Sequence, residues 1–187
     1  VRRQIEYGRE RGVAWGVSES GYARTDGQLN YQYQAFGVPG LGFKRGLSDD
    51  LVVAPYASAL ALMVDPAGAT ANLRRLAREG HLGPHGFYEA IDHTASRSPP
   101  GRSSVTVRSY MAHHQAMVLL SLAHVLLGQP MQRRFAADLS LRATDLLLQE
   151  HIPRRPPLYP HAEEVSLAAV AACVLLGGAA LFALRPL

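Results

Sequence analysis

The sequence predicts an all-α fold, in which helical hairpins form part of a toroid and long loops line its cleft. Apolar residues recur at a spacing near 3.6 over much of the chain, and most of the segments are bounded by helix caps. Two long segments lack that spacing, residues 18–50 and 80–104, and they hold most of the glycines and several tyrosines. We expect these two segments to be the loops of the cleft, because long loops in compact domains usually carry function.

The first two helices are predicted from spacing and from proline. Residues 1–11 have helical spacing without an N-cap in front, which suggests a fragment of a longer chain. Pro55 begins a helix through Met63. The preceding Val52 and Val53 favour extended backbone, since their β-branched side chains restrict rotation.

The remaining helices are predicted from their caps. Asp65 and Pro66 form an N-cap and first-turn pair, and this helix ends before Gly80. The longest predicted helix covers residues 105–127. Another covers residues 139–150, with Asp138 as its N-cap and Pro153 after its end.

The composition indicates one globular domain and excludes several function classes. The chain has 187 residues, of which 48% are apolar, and its only cysteine is Cys173, so neither a disulfide framework nor a cysteine zinc site can form within it. A formal charge of +4 comes from 18 arginines and one lysine against 15 carboxylates. The basic residues are scattered along the chain, which argues against nucleic-acid binding.

The C-terminal part differs in composition from the rest. We predict a domain over residues 1–152, a proline-rich linker over residues 153–164, and an apolar alanine-rich segment over residues 165–184. The last segment has 20 residues without charge, the length of a membrane-spanning helix. Its many alanines make insertion marginal, so a helix buried against another domain, or a truncation artefact, stays open beside membrane association.

A first candidate site begins at residues 15–20, WGVSES, and continues at residues 30–34. It combines Trp15, Tyr31 and Gln32 with the carboxylate of Glu19. Aromatic faces stack on sugar rings, amides bind hydroxyl groups, and a carboxylate can donate or accept a proton. The alternative is a surface glutamate beside core tyrosines.

A second candidate site is GFYEAIDHT at residues 86–94. Glu89 and Asp92 lie among aromatic and apolar residues, and burial would raise the pKa of at least one of them, as a general acid requires. Paired with Glu19, one of these carboxylates would give the acid pair of glycosidic chemistry, about 5–5.5 Å apart for retention or about 6.5–9.5 Å for inversion. The alternative is a carboxylate that braces a loop or caps a helix.

The third candidate is VRSYMAHHQAM at residues 107–117. His113 and His114 point about 100° apart on a helix, so they cannot chelate one metal, and we predict neither metal nor cofactor. One imidazole should face the cleft while the other packs, and His124 should be a satisfied core histidine. The glycines of residues 37–46 lack the lysine and hydroxyl ending of a nucleotide loop.

These motifs, with NYQYQAFGVPGLGFKRGLSDDLVVAPYA at residues 30–57 and LLLQEHIPR at residues 146–154, resemble the glycoamylase-like domain of bacterial cyclic β-1,2-glucan synthases. Endo-β-1,2-glucanases are similar. The resemblance covers roughly residues 1–160 and implies the C-terminal half of an (α/α)6 toroid. It also implies transglycosylation or hydrolysis of β-1,2-glucan within a larger synthase at the bacterial inner membrane.

The resemblance gives the site residues of this chain their expected roles. Glu19 and Glu89 match segments that hold the acids of the family, and either could be nucleophile or acid/base. A fragment that binds glucan without turnover is the alternative. The predicted substrate-binding residues are Trp15, Tyr31, Gln32, Lys44, Arg45, Tyr88, Asp92, Tyr110, His113 and His114.

Overall fold

The fold mixes helix and strand. The structure is a computed structural model that describes residues 1–42, 46–145 and 147. Helix accounts for 44% and strand for 16% of the described residues, and these strands form three small antiparallel sheets. The predicted all-α half-toroid of helical hairpins is therefore wrong. Residues 1–141 form one compact unit, and of the second unit, residues 142–187, only 142–145 and 147 are described.

The predicted caps locate several helices correctly. A helix begins at Pro55, and another begins at Pro66, where the Asp65 carboxylate accepts a hydrogen bond of 2.9 Å from the amide of Gly68. The helices in the described part of the chain are α1 (Arg2–Glu10), α2 (Pro55–Leu60), α3 (Pro66–Arg78), α4 (Ala112–Leu126), α5 (Pro130–Ala137) and α6 (Leu139–Asp145), with 3₁₀ turns at Ala61–Met63 and Ala95–Arg97.

The C-terminal helices depart from the prediction. The helix expected over residues 105–127 begins only at Ala112, since its first residues form a strand, and α5 was not predicted. None of the helices in the described ranges is long and apolar enough to cross a membrane. The linker at residues 153–164 and the apolar segment at residues 165–184 lie outside the described residues.

Strands occupy the two segments that were expected to be loops. Most of them are two to four residues long, too short to show the alternation by which a strand is recognised in sequence. The sheets pair β1 (Ser20–Thr25) with β2 (Tyr31–Gln34), β4 (Leu82–Gly83) with β5 (Gly86–Phe87), and the central β6 (Ala90–Asp92) with both β3 (Val52–Val53) and β7 (Val105–Val107).

The core consists of two packed clusters. The first centres on the three-stranded sheet, where Val52, Val53, Ile91 and Val107 are fully buried. The second joins Trp15 to small and apolar side chains of α2, α3 and the 3₁₀ turn between them. The β1–β2 hairpin packs against β6 and β7 of the central sheet.

Asp92, at the end of β6, braces the fold from inside. Its fully buried carboxylate accepts hydrogen bonds from Arg97 (2.6 Å) and from the amides of Ala23 (3.0 Å) and Thr94 (3.0 Å). Burial by itself would raise the pKa of Asp92, but these hydrogen bonds outweigh it and lower the pKa. Arg97 also binds Asp50 at 3.0 Å, so one guanidinium joins two loops to the central sheet.

Asp92→Asn should lower the free energy of unfolding by about 3–5 kcal/mol, because it leaves Arg97 without its buried partner. Asp50→Asn, on the same guanidinium but 25% exposed, should cost only about 0–1 kcal/mol. Because folding lowers the pKa of Asp92, its carboxylate stabilises the fold at pH values above its ordinary pKa of 3.8. This stabilisation is lost as the pH falls through the lowered pKa of the folded state. Denaturant unfolding from neutral to acid pH measures both effects. Equal losses for the two variants would contradict the brace.

Candidate functional site

Glu89 occupies the centre of the candidate site. Its side chain, directly before β6, is 1% exposed, and one carboxylate oxygen accepts a 3.1 Å hydrogen bond from the amide of Gly21 on β1. Nδ1 of His114 on α4 lies 3.0 Å from that oxygen and 3.1 Å from the other oxygen of the carboxylate. The predicted burial of a carboxylate in this segment is confirmed. Glu89 therefore joins three elements that are distant in sequence.

Gly21 makes room for this carboxylate. A Cβ atom at this position would lie 3.3 Å from Cγ of Glu89 and 3.4 Å from a methyl group of Val107, tighter than ordinary packing. Gly21 is paired with Tyr33 across the hairpin, so the Tyr33 ring lies on the face to which a side chain at Gly21 would point. Glu89 lies on that same face. A larger residue here would have to push the side chain of Glu89 aside by a few tenths of an ångström.

His114 links Glu89 to two tyrosines. It lies in the first turn of α4, is 1% exposed, and has its ring stacked on the ring of Tyr56 with centroids 3.7 Å apart and an angle of 13°. Its Nε2 atom lies 3.3 Å from the hydroxyl of Tyr33. With Nδ1 on Glu89, both ring nitrogens have partners, so the orientation of the imidazole is fixed.

Glu19 lies on the open side of the same constellation. It is exposed and directly precedes β1, two residues before Gly21, which places it diagonally across the hairpin from Tyr33. Partial burial, the charges of Glu19, Tyr56 and Glu89, and a hydrogen bond to Glu19 raise the pKa of Tyr33 to about 12. Both predicted catalytic carboxylates therefore contribute to the raised pKa of Tyr33.

Tyr56 connects the segment that holds Glu19 to His114. Its hydroxyl lies 2.8 Å from the hydroxyl of Ser18 and donates to the backbone carbonyl of Glu19 at 3.2 Å. Burial raises the pKa of Tyr56, the hydrogen bond with Ser18 opposes this, and the charges of Glu19 and Glu89 add to the increase. The backbone of Glu19 is thus tied to the ring that stacks on His114.

Several predicted binding residues lie inside the fold. Trp15 is 8% exposed and packs in the second core cluster, Tyr31 is half-buried against the first, and Gln32 is half-buried on β2. Asp92 has its oxygens occupied by protein donors. The surface that these side chains offer to a sugar is therefore small, although their predicted binding roles are untested.

Other predicted residues border the site. The exposed His113 lies 4.0 Å from His114, centroid to centroid, and edge-on to Tyr33. Tyr88 and Tyr110 form a tilted ring pair 5.4 Å apart, and the buried Tyr110 hydroxyl has no hydrogen-bond partner among the described residues. Lys44 and Arg45 lie outside the described residues. Within the described ranges, no group of three or more His, Cys, Asp or Glu is placed to hold a metal ion.

A cavity of about 310 Å³ lies behind the Glu89–His114 pair. Its lining is mostly apolar, and it includes the rings of Tyr56, Phe87 and Tyr88 together with Glu89 and His114. This volume is at the small end of the range for ligand pockets. Aromatic walls with a few polar groups suit one small hydroxylated ligand.

Two central residues were missing from the predicted site. Tyr33 lies in the predicted segment at residues 30–34, but only Tyr31 and Gln32 of that segment were predicted to bind. Because residues two apart on a strand point to one face, Tyr31 and Tyr33 lie on the same side of β2. Tyr56 follows the proline that begins α2, and nothing in its local pattern distinguishes it from a core tyrosine. His124 also differs from expectation, because its buried Nδ1 has no partner in the described part of the chain.

Solved structures show that the fold is of the glucoamylase-like class. The putative glucoamylase of Bacteroides caccae matches with a TM-score of 0.51 at 20% identity, covering 75% of this chain and 30% of that one. The endo-β-1,2-glucanase of Chitinophaga pinensis, in complex with sophorotriose and glucose, matches with a TM-score of 0.50 at 18% identity, covering 76% of this chain and 30% of that one.

The family follows from sequence. The family model "Glycoamylase", described as "Putative glucoamylase", matches residues 3–137, and the chain therefore belongs to this family. The cyclic β-(1,2)-glucan synthase NdvB of Rhizobium meliloti is 46% identical over 158 residues, which are 84% of this chain and 6% of that protein. The chain thus spans a small part of the relative that it matches, and the resemblance expected from the motifs is confirmed.

Gly21→Ala should displace Glu89 and lower the free energy of unfolding by about 1–3 kcal/mol, the usual cost of overpacking. Gly27→Ala is the matched control, because a Cβ there would meet nothing within 4 Å, and it should change stability by less than about 0.5 kcal/mol. Thermal unfolding of both variants makes the comparison. A harmless Gly21→Ala would show that the hairpin does not need this close approach.

Tyr33→Phe should remove the tyrosine whose proton leaves only near pH 12. Because folding raises its pKa from 10, the unfolded chain loses this proton first, and the folded state loses stability as the pH rises between these two values. Ultraviolet absorbance of tyrosinate and alkaline unfolding check this result. The assignment fails if the variant instead loses absorbance that appears near pH 10.

Proposed function

We propose that this chain is part of a carbohydrate-active enzyme that cleaves or transfers the glucosidic bonds of β-1,2-glucan, with Glu19 and Glu89 as its carboxylate pair. The names of a synthase relative and of a glucanase with the same fold support the substrate. Membership in the glycoamylase family supports the reaction class.

The single observation that carries the proposal is the convergence of the two carboxylates on Tyr33. They are 70 positions apart in the chain, yet Glu19 lies diagonally across the hairpin from Tyr33, and His114, which contacts Glu89, lies 3.3 Å from the Tyr33 hydroxyl. Glycosidic chemistry uses one carboxylic acid that protonates the leaving oxygen and one carboxylate that acts as nucleophile or base. Glu19 is exposed and Glu89 is buried and hydrogen-bonded, and this difference in surroundings supports such a division.

A second function is favoured by the burial of Glu89. Its side chain is 1% exposed and both of its oxygens have protein partners, so it cannot contact a sugar unless the site opens. If Glu89 stays buried, the chain would bind glucan through its aromatic side chains without turnover. This alternative is a glucan-binding part of a larger protein.

The wider setting is also a proposal. The relative is many times longer than this chain, which covers 6% of it, so further domains would accompany residues 1–152. Residues 165–184 would then attach to one of those domains or to the inner membrane. Neither arrangement is needed for the chemistry proposed at Glu19 and Glu89.

The test is incubation of the 187-residue chain with linear β-1,2-glucan, with products read by mass spectrometry and binding by calorimetry. Shortened or cyclic products support the enzyme. Binding without product supports the glucan-binding alternative, and neither binding nor product contradicts both.

Glu19→Gln and Glu89→Gln should each lower turnover by at least about 10²-fold, the contribution of general acid or base catalysis. Glu6→Gln, an exposed carboxylate on α1, should leave it unchanged. Turnover near the normal rate in either variant would remove that residue from the pair. A β-1,3-glucan of equal length serves as the control substrate.

A further inference from the structure

We propose that Tyr33 and His114 form a proton relay that connects Glu19 to the buried end of the site, with His114 storing the proton and Glu89 acting as its counter-ion. The inference rests on the proposed function, because it assigns the proton-donating role to Glu19. It adds two residues that act through another group and so are positioning residues.

The relay would run along a chain of polar contacts that reaches from Glu89 to Tyr33. Glu89 lies 3.0 Å from Nδ1 of His114, and Nε2 of His114 lies 3.3 Å from the hydroxyl of Tyr33. The antiparallel register places Glu19 diagonally across from Tyr33, and the proposed relay adds the last transfer, from the Tyr33 hydroxyl to Glu19. It would therefore connect a fully buried carboxylate to an exposed one.

Two arrangements of this chain contain the same number of protons. In the first, His114 carries protons on both nitrogens, Tyr33 accepts from Nε2 and donates to ionised Glu19. In the second, Glu19 is protonated and donates to Tyr33, which donates to the bare Nε2. The change breaks the Nε2–H bond and the original Tyr33 O–H bond, and forms a new Tyr33 O–H bond and a Glu19 O–H bond. No proton enters or leaves.

His114 has polar and aromatic neighbours on several sides. It is buried in the first turn of α4, its ring is stacked on Tyr56, and its Nδ1 contacts the carboxylate of Glu89. The titratable groups that face His114 are Glu89, Tyr33, Tyr56 and His113, with Glu19 beyond Tyr33.

The relay would let one carboxylate both give and take a proton in a reaction cycle. The proton stored on His114 first reaches Glu19 through Tyr33, and protonated Glu19 then donates it to the leaving oxygen, which leaves Glu19 ionised and Nε2 bare. When an incoming hydroxyl loses its proton to Glu19, the transfer runs in reverse and returns the proton to His114. Bulk water need not supply or remove a proton, which suits a reaction in which a sugar replaces water as the acceptor.

The test measures the imidazole nitrogens of His114 by NMR in the isotope-labelled 187-residue chain, without glucan. Glu19→Gln should shift the Nε2 resonance while Tyr33 is intact, and the shift should disappear in the Tyr33→Phe background. The Nδ1 resonance, held by Glu89, should shift much less than Nε2. Glu6→Gln should move neither resonance.

The outcomes separate the relay from a purely electrostatic effect. An equal Nε2 shift with and without the Tyr33 hydroxyl would mean that the charge of Glu19 acts through space, and the relay would be overturned. An unmoved Nε2 in Glu19→Gln alone overturns it too, and this measurement needs no folded Tyr33→Phe variant.

Activity provides a second and separable readout. In a chain that turns over glucan, Tyr33→Phe should lower kcat by about 10²-fold with KM retained, because the proton stored on His114 no longer reaches Glu19. Tyr7→Phe, on α1, is the matched control and should change neither constant. A chain without glucan activity refutes the proposed function while the NMR result still decides the relay. Full kcat in Tyr33→Phe refutes the relay and leaves the proposed function intact.

Discussion

The buried carboxylate of Glu89 is the constraint on which the arrangement of the site depends. A carboxylate taken out of water is tolerated only when its oxygens are hydrogen-bonded, and here the partners are the Gly21 amide and the His114 ring. Satisfying them forces the β1–β2 hairpin, the end of the central sheet and the start of α4 to meet at one point. The cavity, the stacked Tyr56 and the approach of Tyr33 follow from that meeting.

Helix positions were predictable where a local signal exists. Asp65 with Pro66, and the proline at position 55, mark helix starts because capping and the missing amide are properties of adjacent residues. Val52 and Val53 were predicted to be extended, and they form β3. Most other strands were not predictable, because β4 and β5 have only two residues each and β6 and β7 only three, too few to show alternation. The fold class was wrong for that reason.

The site was predictable as segments and not as contacts. Glu19, Glu89 and His114 stand in motifs whose residue types suit sugar chemistry, so each segment could be chosen from sequence. The contact between Glu89 and His114 joins residues 25 positions apart, and the contact between Tyr33 and His114 joins residues 81 positions apart. Such distances are set by the packing of the central sheet against the helices, and no local pattern encodes them.

Glu89, directly before β6, and Asp92, its last residue, also cover one edge of the β1–β2 hairpin. One edge of β1 pairs with β2, and on its other edge the amides of Gly21 and Ala23 donate to the side chains of Glu89 and Asp92. An unpaired strand edge is a template on which another chain can add a strand and begin aggregation. A foreign strand would have to displace two buried carboxylates before it could dock there, so this edge is closed to self-association.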